Sequence, residues 1–284
     1  MIPLIKKFHR EYENFTPSQR RIAEYLTENI SEALLLNATQ IAGKAKVSEA
    51  TLTRFIATFG FSGFAAFKKE IGKQILHEHS PTVRLTKSAK TLENRDSLFA
   101  EIMKGDISNI QALSTAISDE LFDQAVTKIF TAKTLYVLGL RTSFTCAFYL
   151  SFSLRMFLNN VKLITPNIGD IPERFIKANN EDVLVSICFR RYTHHTIKIV
   201  EQAKQKGVFI LAITNSTLSP IAQLADMVLT IETDIPTFTQ SYTAPISLMT
   251  ALITAASIRD KNAALNALKE LDEIHETFET YYRS

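Results

Sequence analysis

Five short apolar, β-prone runs recur through the last two thirds of the chain, at residues 134–139, 161–164, 182–188, 208–214 and 227–231. Stretches of helical character separate them, notably residues 143–158 and 193–206. The runs do not alternate apolar with polar residues, so each strand must be covered on both faces. Strands of that kind alternating with helices specify an α/β doubly wound parallel sheet, here five-stranded. Ligands of such sheets collect beyond the carboxyl ends of the strands, at the N-termini of the following helices.

Three segments fall at that edge. Gly139-Leu140-Arg141-Thr142-Ser143 follows the first run, Arg190-Arg191-Tyr192-Thr193 the third, and Asn215-Ser216-Thr217-Leu218-Ser219-Pro220 the fourth, with Pro220 placed for a first helical position. Together they offer hydroxyls, backbone N–H groups and the guanidinium groups of Arg141, Arg190 and Arg191, which is equipment for an oxyanion such as a phosphate. Arg141, Thr142, Ser143, Arg190, Arg191, Tyr192, Thr193, Asn215 and Ser216 are therefore the candidate effector-binding residues. At least one arginine of the Arg190-Arg191 pair is expected to point into the cleft. The alternative for either is a helix-start arginine facing solvent or a subunit interface.

The first eighty residues follow a helical period instead. Thr16-Pro17-Ser18-Gln19 is a helix start with a capping box, and Ile22, Tyr25, Leu26 and Ile30 then form one apolar stripe. Thr39 is expected to cap a short helix, Lys46-Val47 to turn, and Ser48 to cap a second helix that sends Leu52, Phe55, Ile56 and Phe59 inward and ends at Gly60. Ser62 is expected to cap the next one. The outer face of the second helix carries Ser48, Glu49, Thr51, Thr53 and Arg54, short or polar near its start, where a recognition helix meets base edges, with Arg54 one turn later able to reach a phosphate. Thr39, Lys44, Lys46 and Lys68 complete the candidate DNA-binding set.

Charge agrees with that division. Residues 1–79 hold 11 Lys/Arg against 8 Glu, and the remaining residues are balanced at 21 against 21, so the net charge of +3 is all N-terminal. Such an excess favours a polyanion, with a merely solvated face as the bland reading. At 284 residues the chain exceeds one typical core, and two domains are expected. Their boundaries are read as 1–78 for the helix-turn-helix domain, 79–93 for a Ser/Thr/Lys-rich linker without clear period, and 94–284 for the α/β domain with flanking helices. No apolar stretch approaches a membrane span, and Lys6-Lys7 follows the first five residues without a signal-peptide core, so a cytoplasmic location without membrane contact is expected. Cys146 and Cys188 are too few for a disulfide framework, and neither they nor the six histidines give a basis for a metal or other cofactor.

The run Val47-Ser48-Glu49-Ala50-Thr51-Leu52-Thr53-Arg54-Phe55, followed by Gly60-Phe61-Ser62-Gly63-Phe64, closely resembles the helix-turn-helix of the RpiR/MurR family of bacterial transcriptional regulators, and the opening at Thr16-Pro17-Ser18-Gln19 matches too. The C-terminal layout resembles the sugar-isomerase (SIS) domain that forms the other half of those regulators and binds phosphorylated sugars. The resemblance implies that Ser143 stands where the family's first-loop serine contacts phosphate and that Thr193 stands where its second loop ends in threonine. It departs at the second loop, where the usual Ser-aromatic-Ser-Gly is Cys188-Phe189-Arg190-Arg191, so Arg190 or Arg191 is expected to replace a hydroxyl by a charge-assisted contact.

Implied partners are double-stranded operator DNA, a small anionic effector of the sugar-phosphate kind, and further copies of the chain in a homodimer or tetramer. The competing expectation is a sugar-phosphate isomerase or lyase whose N-terminal helices only dimerise. It requires a positioned carboxylate or histidine. The sequence puts no carboxylate near the second loop or in residues 238–245, leaving His194 and His195, so no catalytic residue is assigned. Residues 265–278 carry Leu265, Leu268, Leu271, Ile274 and Phe278 at helical spacing, a face suited equally to the α/β core or to a partner.

Overall fold

The structure, a computed structural model, describes residues 2–34, 36–93, 97–165 and 171–282. Two compact units result, one formed by Met1–Asn94 with Pro236–Thr239 and the other by Arg95–Ile235 with Gln240–Ser284.

The N-terminal unit is helical: α1 (Pro3–Glu11), α2 (Pro17–Glu28), α3 (Ile30–Ala33), α4 (Ala38–Lys44), α5 (Glu49–Thr58), α6 (Phe64–Glu78) and α7 (Pro81–Leu92). Thr16 and Gln19 form the expected capping box at α2. The predicted apolar stripes meet: Ile22, Leu26, Ile41, Leu52, Phe55, Ile56, Phe67 and Ile71 share one core with Leu4, Ile5 and Phe8 of α1. Its centre is aromatic, with the rings of Phe8, Phe15, Phe55 and Phe59 packed tilted or edge-on at centroid distances from 4.8 to 6.1 Å. Burial of Phe8 and Phe55 contributes roughly 1.5–3 kcal/mol each, the half-buried Phe15 and Phe59 less, and each ring pair about 0.5–1.5 kcal/mol beyond it.

Two local expectations are corrected. Asn37, not Thr39, caps α4, because Asn37 and Gln40 form a capping box. Thr39 lies inside α4 and its hydroxyl donates to Glu49 Oε2 at 2.6 Å, tying α4 to the start of α5. Gly63 rather than Ser62 occupies the cap of α6.

Residues 79–93 are not irregular, since they hold α7. Ser80 accepts a hydrogen bond from Val83 N at 3.3 Å and Pro81 takes the first helical position. The hydroxyls that resemble loop composition donate back along the helix, Thr86 to Thr82 O, Ser88 to Arg84 O and Thr91 to Lys87 O.

The turn between α4 and α5 is specified by backbone geometry. Lys46 adopts a left-handed φ of +54°, with Lys46 N bonded to Gly43 O at 3.1 Å and Val47 N to Ala42 O at 2.9 Å, the paired bonds of a Schellman motif. Gly60 (φ +86°) ends α5 in the same way.

The C-terminal unit runs α8 (Leu98–Ala116), α9 (Asp119–Thr131), β1 (Leu135–Gly139), α10 (Phe144–Leu154), β2 (Val161–Ile164), α11 (Ile171–Arg174), β3 (Val183–Ile187), α12 (His194–Gln205), β4 (Phe209–Thr214), β5 (Met227–Thr230), α13 (Thr243–Arg259) and α14 (Lys261–Thr277). All five strands are parallel in the order β2-β1-β3-β4-β5, with Leu135 in register with both Val161 and Val183. Both faces are buried as the unbroken apolar runs require. Val137, Val185, Ile187, Leu211 and Ile213 join residues of α9, α10 and α13, whereas Tyr136, Leu138, Leu184, Ile210 and Ala212 join Phe175 and residues of α12. The chain leaves β1 for β2 on one side and reaches β3 on the other, which opens a crevice at the carboxyl ends of β1 and β3.

Pro220 does not begin an α-helix; a single 3-10 turn, Ala222–Leu224, follows, and Ser219 Oγ accepts from Ala222 N at 3.2 Å. Cys146 and Cys188 are free and buried, and burial pushes the Cys146 thiol up to about 12 and raises that of Cys188. Along α14 and just past it Leu265, Leu268, Ile274 and Phe278 stay exposed, as do Leu98, Phe99, Met103 and Ile107 of α8. No helix among the described residues is long and apolar enough to cross a membrane.

Candidate functional site

The edge of the sheet in the C-terminal unit is built around Gly139. A Cβ there would lie 2.5 Å from Ser143 O and 2.9 Å from Ala147 Cβ, so only glycine lets the loop after β1 fold tightly back into α10. That loop is a 3-10 turn, Arg141–Ser143, entered through a left-handed Arg141 (φ +57°). Ser143 is buried at the N-terminus of α10, yet its hydroxyl forms no capping bond. It lies 3.4 Å from the hydroxyl of Tyr242, which donates to Thr142 Oγ1 at 2.8 Å. Arg141 itself is exposed.

Tyr242 is the residue that sequence reasoning missed. It stands at the N-cap position of α13, and its ring packs edge-on against Phe189, at the start of the second loop, with centroids 5.8 Å apart. One side chain thus ties the first loop to the second. Burial raises its pKa, and the hydroxyls of Ser143 and Thr142 oppose that shift. The available signal is position: a tyrosine immediately ahead of α13, the helix that follows the last strand.

The second loop joins the third through Tyr192, whose hydroxyl donates to Asn215 Oδ1 at 3.1 Å. Burial again raises the phenol pKa, and the positive charge of Arg190 pulls it back, placing that guanidinium beside the tyrosine. Thr193 caps α12 by accepting from Thr196 N at 3.3 Å, and its hydroxyl lies 2.6 Å from Thr196 Oγ1. Ser216 accepts from Leu218 N at 3.1 Å and shapes the third loop.

The two arginines part company. Arg190 is partly buried and its Nη1 lies 3.3 Å from Asp234 Oδ2. Arg191 is exposed and left-handed (φ +66°), a conformation suited to the glycine that the resemblance places there. The expectation that no carboxylate lies near this loop is corrected. Asp234 arrives from beyond β5, a distance in sequence that no local pattern spans. His194 and His195 are exposed in the first turn of α12.

On the N-terminal unit, α5 presents Ser48, Glu49, Thr53 and Arg54 to solvent, with Thr51 half-buried. Ser48 caps α5, accepting from Thr51 N at 3.2 Å. Lys46 is exposed in the turn, and Lys69 and Lys73 are exposed on α6. Two candidate phosphate contacts are already engaged. Lys68 is half-buried and donates to Leu36 O at 2.9 Å, and burial lowers its pKa, so it acts here as a structural cap rather than a free cation. Lys44 pairs with Glu32 at 2.9 Å and is the main cause of the lowered Glu32 pKa.

Comparison with known proteins assigns both halves. Residues 2–78 match the helix-turn-helix domain of the rpiR family, and residues 128–255 match the SIS domain. A helix-turn-helix joined to a SIS domain defines the class of two-domain transcriptional regulators. Within that class the chain belongs to the RpiR family. The HTH-type transcriptional regulator HexR of Pseudomonas aeruginosa is 22% identical over 276 residues, 94% of each chain. An HTH-type transcriptional regulator of Clostridium perfringens is 26% identical over 218 residues, 76% of each chain. Among solved structures, Vibrio vulnificus NanR in complex with ManNAc-6P shares 16% identity at a TM-score of 0.65, covering 97% of this chain and 98% of the other. The sugar isomerase domain of an RpiR transcription factor from Sphaerobacter thermophilus shares 24% at a TM-score of 0.59, covering 62% and 98%.

Proposed function

We propose that this protein is a DNA-binding transcriptional regulator whose SIS domain senses a phosphorylated sugar or a related anionic metabolite and thereby modulates operator binding. The observation that carries the sensing half is the set of side-chain contacts that gathers three loops at one sheet edge: hydrogen bonds of Tyr242 with Thr142 and Ser143, the ring contact of Tyr242 with Phe189, and the hydrogen bond from Tyr192 to Asn215, with Arg190 beside it. Ser143 and Thr193 lie at the starts of α10 and α12, where N–H groups and helix dipoles favour an anion. The Vibrio relative solved with a phosphorylated amino sugar supports this choice of ligand.

The DNA half rests on the solvent-exposed face of α5, with Ser48, Glu49, Thr51 and Thr53 toward bases and Arg54 toward a phosphate, aided by Thr39 and Lys46. A homodimer or tetramer would present two such helices to successive major grooves, and the exposed apolar residues of α8 and α14 support self-association. A non-enzymatic role is supported by the regulators among the relatives and by the engagement of Asp234, the cleft carboxylate, with Arg190.

The deciding experiment uses the full chain. Arg54→Ala should weaken a salt-sensitive shift of upstream DNA and leave effector affinity unchanged. Arg190→Ala should do the reverse, and Arg191→Ala should do neither. Incubation with hexose phosphates should give no product. Turnover would establish an isomerase instead, and an Arg190→Ala chain with unaltered effector titration would remove Arg190 from the site.

A further inference from the structure

Two helix faces of the C-terminal unit stay uncovered by the chain that carries them. On α10, Phe144, Phe148 and Phe152 recur every fourth residue and their rings follow one another along the helix at centroid distances of 6.2 and 5.7 Å. Phe148 and Phe152 are half exposed. Along α14 and just past it, Leu265, Leu268, Ile274 and Phe278 make a second exposed apolar face, and Ala264 is the one buried residue among the described residues of that helix. A solvated helix of 17 residues gains little from propensity alone and needs a surface for its apolar side. The joint that sets its direction is fixed: Arg259, at the end of α13, pairs with Asp123 of α9 and donates to Thr127 Oγ1 at 3.2 Å, and Asp260 caps α14 by accepting from Ala263 N at 2.9 Å. Held this way, α14 leaves the ladder on its own α10 open.

Charge says what fits each face. Residues 141–169 contain Arg141, Arg155 and Lys162 and no carboxylate. Arg155 and Lys162 are exposed and line one hollow where α10 meets the edge strand β2. Residues 270–279 are the opposite, with five carboxylates and no lysine or arginine. Those carboxylates crowd the C-terminal half of a helix three or four residues apart, where mutual repulsion and the helix dipole both disfavour them, so cations from outside the helix stabilise it. The lengths agree as well: at 1.5 Å per residue, Phe144–Arg155 spans about 17 Å and Leu265–Phe278 about 20 Å. We propose that α14 of a second copy lies along the α10 ladder, its apolar face on Phe148 and Phe152 and its acidic half at Arg155 and Lys162, and that the exchange is reciprocal. Two-fold symmetry makes the contact twice, which brings it toward the roughly 800 Å² per partner of a standard interface. This rests on the self-association reading above and deepens it by naming the two surfaces that meet.

The test is sedimentation equilibrium of the full chain over a range of concentrations, without DNA. Phe148→Ser with Phe152→Ser, and separately Ile274→Ser with Phe278→Ser, alter only exposed side chains. Each pair should raise the concentration at half-dissociation about tenfold or more. All four together should add less than about threefold to either pair, because the two faces belong to one contact. Arg155→Glu and Glu273→Arg should each weaken association about three- to tenfold, and combined they should return it to within about twofold of the parent. That recovery separates a lost contact from a misfolded variant. Association untouched by either serine pair, or losses from the two pairs that multiply, would overturn the proposal and leave self-association to other faces. A parent that stays monomeric at every concentration would overturn both readings.

Discussion

The face proposed for DNA and the cleft proposed for effector are made in opposite ways. The first is one helix and the turn ahead of it. Lys46, Ser48, Glu49, Thr53 and Arg54 are near neighbours in sequence, and their exposure follows once Leu52, Phe55 and Ile56 turn inward. The second draws on residues spread from Thr142 to Tyr242, held at one edge by a parallel sheet and stitched by two tyrosines. A contiguous face survives or fails with its helix, whereas an assembled cleft depends on close backbone approaches far apart in the chain.

Substitutions can break that contrast, beginning with the largest effect. Phe55→Ala should remove about 3–5 kcal/mol from the N-terminal unit, since Phe55 is the hub of the aromatic cluster. Urea unfolding should register the loss, and operator binding should vanish while the C-terminal unit still unfolds at its original midpoint. Gly139→Ala is the counterpart in the cleft. Its added Cβ meets Ser143 O, so it should cost about 2 kcal/mol or more and lower effector affinity without touching the DNA face. A DNA-binding defect in Gly139→Ala without ligand would show that the two sites are less separable than their construction suggests.

Smaller changes sharpen the same contrast. Arg54→Ala should weaken operator binding by about 1–3 kcal/mol and reduce the salt slope by about one counterion. Lys68→Met should leave that slope unchanged and instead cost about 1 kcal/mol of stability, because its ammonium caps Leu36 O. Arg191→Gly should stabilise the chain by about 0.5–1 kcal/mol, relieving a left-handed arginine, with no change in phosphate titration.

How much of this could be read in advance follows the same division. The strands, the helix-turn-helix and the Thr16 and Ser48 caps are set by local period and capping, and each was legible. The engagement of Lys68 is not legible, because a lysine with a carbonyl partner 32 residues away looks, in sequence, like any other surface lysine. Asn37 was passed over because Thr39 has the same chemistry two residues later. Residues 79–93 look like loop composition because hydroxyls that bond back to the helix cannot be told from hydroxyls that break it. Asp234 and Tyr242 lie 44 and 99 residues from the groups they meet, Arg190 and Ser143, and only the sheet order brings them there.

The two thiols have a practical consequence. Cys146 is wholly enclosed with its pKa near 12, and Cys188 is held high by the same enclosure. Thiolate is the form that attacks maleimides, so the folded chain offers those reagents almost none. A cysteine introduced on the outer side of α5 or on α7 would accept a fluorophore or spin label against a silent native background, and distances between labels could then follow the regulator as phosphate is added.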